Sequence, residues 1–552
     1  MKNALLSKSI IFFSVFIFSI KINAQSETKT PPKLVIGIVV DQMCYDYLYR
    51  FAPKFGKNGF MKLIQNGTFC ENTQYNYVPT FTGPGHASIY TGTTPSNHGI
   101  VANDWFDRDS KKEKGCVSDS LVKSIGTKSN EGQASPLNLK VNTITDQLKL
   151  TYKKSKVISM SIKDRGAILP GGHLSDGSYW FDYQTGNFVT STFFKEKMPV
   201  WVDDFNKEKQ PSSYLKQTWK TLLPIEQYTE SEVDNSPYEV KISTKLTPEF
   251  PYNFKELNKG MKTFDLFTIT PFANTFLADF ALKALKNENL GEDEFSDFLA
   301  ISFSTPDIVG HAFGPYSVEI EDIYLRLDLE IEKLLTALET KLGKDNFVLF
   351  LTADHAVVPV PQYLKDKKLP AGYVFMDELK EELNKKIIDK FALALIDEIT
   401  NDNIYLDRKL MSKKNISSEA VQNLIKEVLI SKKGIKKVYT TDDLAKENSS
   451  DEWLTMVKRG YIYHESGDVI FLLEPGYLPK SKESENTHKG TSHGSAFNYD
   501  THVPLLWYGK NIPSQSIYRR INITDITSTL APILNLQRPN ATTGEPIVEI
   551  LK

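Results

Sequence analysis

Asp41, Asp307, His311, Asp354, His355 and His493 are the residues of this 552-residue chain with the most chemistry to offer. Asp41 closes the apolar run "KLVIGIVVD", and Asp354 and His355 close "NFVLFLTADH". Asp307 and His311 share "STPDIVGH", and His493 lies in "TSHGSAFNYD". Three carboxylates and three imidazoles make a donor set suited to Zn²⁺ and neighbouring first-row ions. In "STPDIVGH", Thr305 can cap a helix and Pro306 can open it, which puts Asp307 and His311 at i and i+4 on one face. Taken singly, a strand-end Asp is commonly a helix cap and a lone His a packed, hydrogen-bonded residue. Taken together they resist that explanation, because buried charges are costly unless paired or metal-bound. Six donors are too many for one tetrahedral ion, so two ions are expected. The remaining histidines, His86, His98, His173, His464, His488 and His502, are assigned to packing.

A nucleophile for such a site stands in "YVPTFTGPGHASIYTG", Tyr77 to Gly92. Thr82 comes immediately before "GPGHASIY", in the first turn of a short helix, where unpaired N–H groups favour a phosphoryl anion. Gly83 and Gly85 permit close backbone approach. A threonine hydroxyl is a weak nucleophile that needs a metal or a base to activate it. The plainer alternative is an N-cap, a common role for Thr. Thr80 belongs to the extended segment that precedes the helix.

The positioning elements follow from the apolar pattern. Lys33–Met43, Lys156–Ile162, Asp297–Asp307 and Asn346–His355 are each apolar first and polar at the carboxyl end, and His502–Gly509 is a fifth strand. Continuous rather than alternating burial points to central, mostly parallel strands. Helical stretches follow Lys140 and Pro271, and a longer one runs from Ser317 to a stop at Gly343. Strands alternating with helices predict an α/β fold, whose ligands gather at the carboxyl ends of the strands. Stretches at about 169–270 and 357–490 are read as insertions that cover the site within one catalytic domain, residues 25–552.

Composition narrows the function. The chain is 40% hydrophobic and 24% charged, with a formal net charge of −2 and no basic block. Nucleic-acid binding therefore has no electrostatic support, and a small-molecule substrate is expected. Lys2 and Lys8, the apolar run "SIIFFSVFIFSI" and Ala24 before Gln25 read as a signal peptide over residues 1–24. The run is short for a membrane span, so a periplasmic or secreted product with no stable span is expected. Of Cys44, Cys70 and Cys116, the pair Cys70–Cys116 is the expected disulfide in an oxidising compartment.

The order Asp, Thr, Asn, Lys-x-Arg, Asp-x3-His, Asp-His, His resembles the alkaline phosphatase superfamily. It is most similar to the secreted alkaline phosphatases with a threonine nucleophile, which are related to nucleotide pyrophosphatase/phosphodiesterases. The likeness runs from about Lys33 to Gly509. It implies a three-layer α/β/α sandwich and two Zn²⁺ per chain. One ion would be held by Asp307, His311 and His493, the other by Asp41, Asp354 and His355 with Thr82. It also implies that Thr82 is the nucleophile and that Asn103, Lys163 and Arg165 bind phosphoryl oxygens. The expected activity is phosphate monoester hydrolysis by a monomer. The alternatives are a phosphodiesterase or nucleotide pyrophosphatase, and a non-catalytic secreted metal-binding protein. The slot Thr82-Gly83-Pro84-Gly85-His86 lacks the Cys or Ser and the Arg that sulfatases of the superfamily need.

Overall fold

The computed structural model describes residues 30–446, 450–484 and 486–551. The expected signal peptide lies outside the described residues. From residue 31 onward the chain forms one compact unit.

An eleven-stranded sheet organises it. Its main strands are β1 (Leu34–Val40), β2 (Thr68–Gln74), β3 (Val157–Ser161), β4 (Gly177–Asp182), β5 (Asn187–Ser191), β6 (Asp297–Phe303), β7 (Phe347–Thr352) and β8 (His502–Gly509). They lie in the order β2-β8-β7-β1-β6-β3-β4-β5. The run from β7 through β1, β6 and β3 to β4 is parallel. Every residue of β1, β6 and β7 is buried, so both faces of the sheet are covered, as in a three-layer α/β/α sandwich. The flanks are antiparallel, which makes the sheet mixed.

Register does the positioning. Val40 pairs with Phe303, and Val39 with Thr352, so β1, β6 and β7 end level with one another. Asp41, the segment from Ser304 and Asp354 therefore leave the sheet along one edge. β8 has the burial expected of it but runs antiparallel to β7. Its entry, not its exit, faces that edge, so His493 reaches the site from the loop before the strand.

Helices frame the edge. They are α1 (Thr82–Thr91), α2 (Asp164–Gly171), α3 (Phe272–Asn287), α4 (Thr305–Phe313) and α5 (Val318–Leu342). Ser317 caps α5 by accepting from the Ile320 N–H at 3.2 Å, and Gly343 stops it with φ 76°.

Two expectations need correction. The 169–270 stretch is not wholly an insertion, because β4 and β5 extend the central sheet. Cys70 and Cys116 do not pair: all three cysteines are free and buried. Cys70 lies on β2 in the main core, whereas Cys116 packs in a separate apolar cluster with Ile100 and Trp105. The 357–490 stretch builds its own four-stranded antiparallel sheet around a separate apolar cluster that includes Leu383, Ile425 and Phe471.

Candidate active site

Each candidate residue is set by the element it leaves. The Asp41 backbone N–H donates to Phe303 O at 3.0 Å, which fixes the exit of β1 against β6. α4 begins directly after β6 with Pro306 in its first turn, so Asp307 and His311 share a face as predicted. The side chains of Asp307, His311 and His493 form one group, and those of Asp41, Asp354 and His355 form another. Within each group the donor atoms lie within 4.8 Å of one another.

The hydrogen bonds decide which imidazole atom each histidine presents. His311 Nδ1 contacts Thr491 O at 2.8 Å, His493 Nδ1 contacts Thr80 O at 2.7 Å, and His355 Nδ1 contacts Ala356 O at 3.0 Å. A carbonyl only accepts, so each Nδ1 carries a proton and each Nε2 is the atom turned toward the clusters. Metal-ligating histidines are commonly oriented by this kind of contact. Asp41 Oδ1 and Asp354 Oδ2 are buried without hydrogen-bond partners. Orphaned buried carboxylate oxygens facing free imidazole nitrogens fit a divalent cation, which would neutralise both.

Lys163 joins the groups. It stands at the N-cap position of α2, just past β3, and its Nζ donates to Asp41 Oδ2 at 2.7 Å and Asp307 Oδ2 at 2.5 Å. Lys163 is only 8% exposed, so its charge is committed to the site and not to solvent. Arg165 follows two residues later, 3.5 Å from Asp164, with its Nε buried and unpartnered.

Thr82 opens α1, and its Oγ1 lies 3.4 Å from His355 Nε2. The cap position belongs to Phe81, and no side chain caps this helix, so the Thr82 hydroxyl is not used as an N-cap. Thr80 Oγ1 is committed to Ser495 O at 3.0 Å. Asn103 accepts the Gly83 N–H through Oδ1 at 2.7 Å, which leaves its NH₂ end as the donor available to an anion. His86 secures α1 from below, contacting Thr82 O at 2.9 Å and Ser302 Oγ at 2.8 Å. His502 stacks on Tyr45 and contacts Glu71 O, outside both groups.

A family model for type I phosphodiesterases/nucleotide pyrophosphatases matches residues 35–496. The chain belongs to this family. It is 39% identical to alkaline phosphatase PafA of Elizabethkingia meningoseptica, covering 97% of this chain and 98% of the relative. It is also 39% identical to alkaline phosphatase PhoV of Synechococcus elongatus, covering 95% of this chain and 94% of the relative. The crystal structure of wild-type PafA superposes with a TM-score of 0.90 at 38% identity, over 95% of this chain and 99% of that one.

Electrostatics at this family member's site are dominated by burial. Burial pushes Asp354 up to about 6, and burial with the Asp307 and Asp354 charges raises Asp41 well above the usual carboxylate range. Burial would raise Asp307 too, but His311 and Lys163 outweigh it and hold that carboxyl well below the usual range. Burial lowers His355 to about 3, and burial with the neighbouring His355 and His311 lowers His493 well below its ordinary value. Both imidazoles are thus neutral at physiological pH, the form that binds metal.

Gln42 was invisible to the sequence reading. It contacts both groups, and nothing in its type or spacing marks it, apart from its place next to Asp41.

Proposed function

We propose that this protein is a secreted or periplasmic zinc-dependent alkaline phosphatase that hydrolyses phosphate monoesters through a phosphothreonine at Thr82. The observation that carries this reading is the Thr82 hydroxyl, uncommitted to capping, beside two Asp/His groups that share Lys163. Asp307, His311 and His493 would hold one Zn²⁺, and Asp41, Asp354 and His355 with Thr82 the other. Bound zinc supplies Lewis-acid polarisation and lowers the pKa of hydroxyl groups in its reach.

The chain's own residues do the rest. Thr82 Oγ1 attacks phosphorus in line; the Oγ1–P bond forms as the ester P–O bond breaks, and the alcohol leaves with a proton. Water then attacks the phosphothreonine, the Oγ1–P bond breaks, and inorganic phosphate leaves. The N–H groups at the start of α1, the Asn103 NH₂, Lys163 and Arg165 hold the non-bridging oxygens and their growing charge. The alcohol portion faces a cavity of about 250 Å³ whose lining includes Phe81, His493, Met376, Trp453 and Tyr477. The 357–490 stretch covers the site in this way, and the working unit is a monomer.

The family's description also names phosphodiesterases, which keeps diester hydrolysis as the second reading. A diester places an organic group where a monoester has a third charged oxygen. Two cations on one turn, Lys163 and Arg165, favour the monoester. Chromogenic monoester, diester and sulfate substrates assayed side by side test the proposal. Monoester hydrolysis is expected to dominate, and a diester rate equal to or above it overturns the assignment.

A further inference from the structure

Gln42 follows Asp41 at the end of β1. It is 2% exposed, and its φ of 66° lies in the left-handed region that a glutamine seldom enters. This conformation turns two groups of one residue toward two different clusters. Its backbone N–H donates to Asp354 Oδ1 at 3.2 Å. Its carboxamide Nε2 donates to Asp307 Oδ1 at 2.7 Å. A carboxylate oxygen faces Nε2, so Oε1 points the other way, into a notch in α4. There a Cβ on Gly310 would stand 1.9 Å from Oε1. Gly310 lies between Asp307 and His311, so the helix that carries two candidate ligands also carries the notch. Asp307 Oδ1 is the oxygen nearest the imidazoles, 3.1 Å from His311 Nε2 and 3.6 Å from His493 Nε2. Strained backbone conformations cluster at functional sites, where the surrounding structure holds them in place.

We propose that Gln42 is a positioning residue that couples the two metal centres, its side chain aiming Asp307 at one ion and its backbone N–H aiming Asp354 at the other, with Gly310 as the notch that admits it. This rests on the two-metal reading above. Lys163 holds Asp307 through Oδ2 and Gln42 holds it through Oδ1, so the carboxylate is fixed from both oxygens. Removing the carboxamide frees Oδ1 but leaves the backbone N–H on Asp354. The effect therefore falls on one ion of the two.

Zinc titration against a chromophoric chelator tests this with wild type, Gln42→Gly, Gly310→Ala and the double variant. Glycine adopts the left-handed backbone without strain, which offsets part of the cost of the lost side chain, and a melting curve of Gln42→Gly reports folding separately from zinc affinity. One of its two ions binds about 10–100-fold more weakly, the scale for losing an outer hydrogen-bond partner of a ligand, and the other is unchanged. Gly310→Ala gives the same selective loss by displacing the carboxamide, and adds nothing to Gln42→Gly. Wild-type affinity at both ions in Gln42→Gly, or equal losses at both, overturns the positioning role. A Gly310→Ala loss that adds fully to that of Gln42→Gly overturns the notch. A wild-type protein that binds fewer than two ions overturns the two-metal reading itself, and the coupling with it.

Discussion

At the scale of single residues, hydrogen-bond commitments separate those that react from those that hold. Thr80 Oγ1 is engaged with Ser495 O, while Thr82 Oγ1 faces His355 Nε2. Thr82→Ala is therefore expected to abolish the covalent route while zinc content and fold persist, and Thr80→Ala to be mild, as read by monoester kcat/KM and elemental analysis. Lys163 and Arg165 part company in the same way. Lys163 bridges Asp41 and Asp307, so Lys163→Ala should lower zinc content as well as activity. Arg165 makes no such bridge. Arg165→Ala should keep its zinc and lose about 10²–10³ in monoester kcat/KM, the scale for one preorganised charge-stabilising donor. Diester hydrolysis should change far less, and equal losses for the two substrates would count against a monoesterase. Five of the six ligand candidates were legible because each stands at or just past the end of an apolar run, while His493, in the polar segment "TSHGSAFNYD", was legible only as part of the ordered set. Gln42 was not, because its left-handed backbone and its two carboxylate partners arise only when β1, β6 and β7 stand side by side.

At the scale of elements, the site depends on how closely α1 approaches the end of β7. A Cβ on Gly85 would lie 2.3 Å from Asp354 O, a backbone atom that cannot step aside. Gly85→Ala should therefore shift α1, lower stability by about 1–3 kcal/mol as overpacking does, and loosen zinc. Thermal melts with and without added zinc would show both effects. If Gly85→Ala instead melts and binds zinc as the wild type does, close packing of α1 does not position Asp354. The strands themselves were legible from continuous apolar runs, and α3 runs from Phe272 as its sequence indicates. The direction of β8 was not, since a strand buried on both faces reads alike in either orientation. Nor was the fate of Cys70 and Cys116, which an even pairing rule joins and separate apolar clusters keep apart.

At the scale of the whole molecule, the two Asp/His groups lie where three parallel strands, the start of α1, α4 and the loop before β8 converge. Zinc held there as proposed would crosslink segments distant in sequence and would have no comparable site in the unfolded chain. At free zinc about 100 times its dissociation constant, each site should add about 2.7 kcal/mol of stability. Chelation should lower the melting temperature and abolish activity together, and zinc should restore both. Among the described residues no helix is long and apolar enough to cross a membrane. The most direct test of the mechanism is acid quenching during turnover of a ³²P-labelled monoester, followed by peptide mapping. Hydrolysis through Thr82 predicts label on that residue alone, absent from Thr82→Ala. Label on Thr80, or no protein-bound label in fully active enzyme, would contradict it.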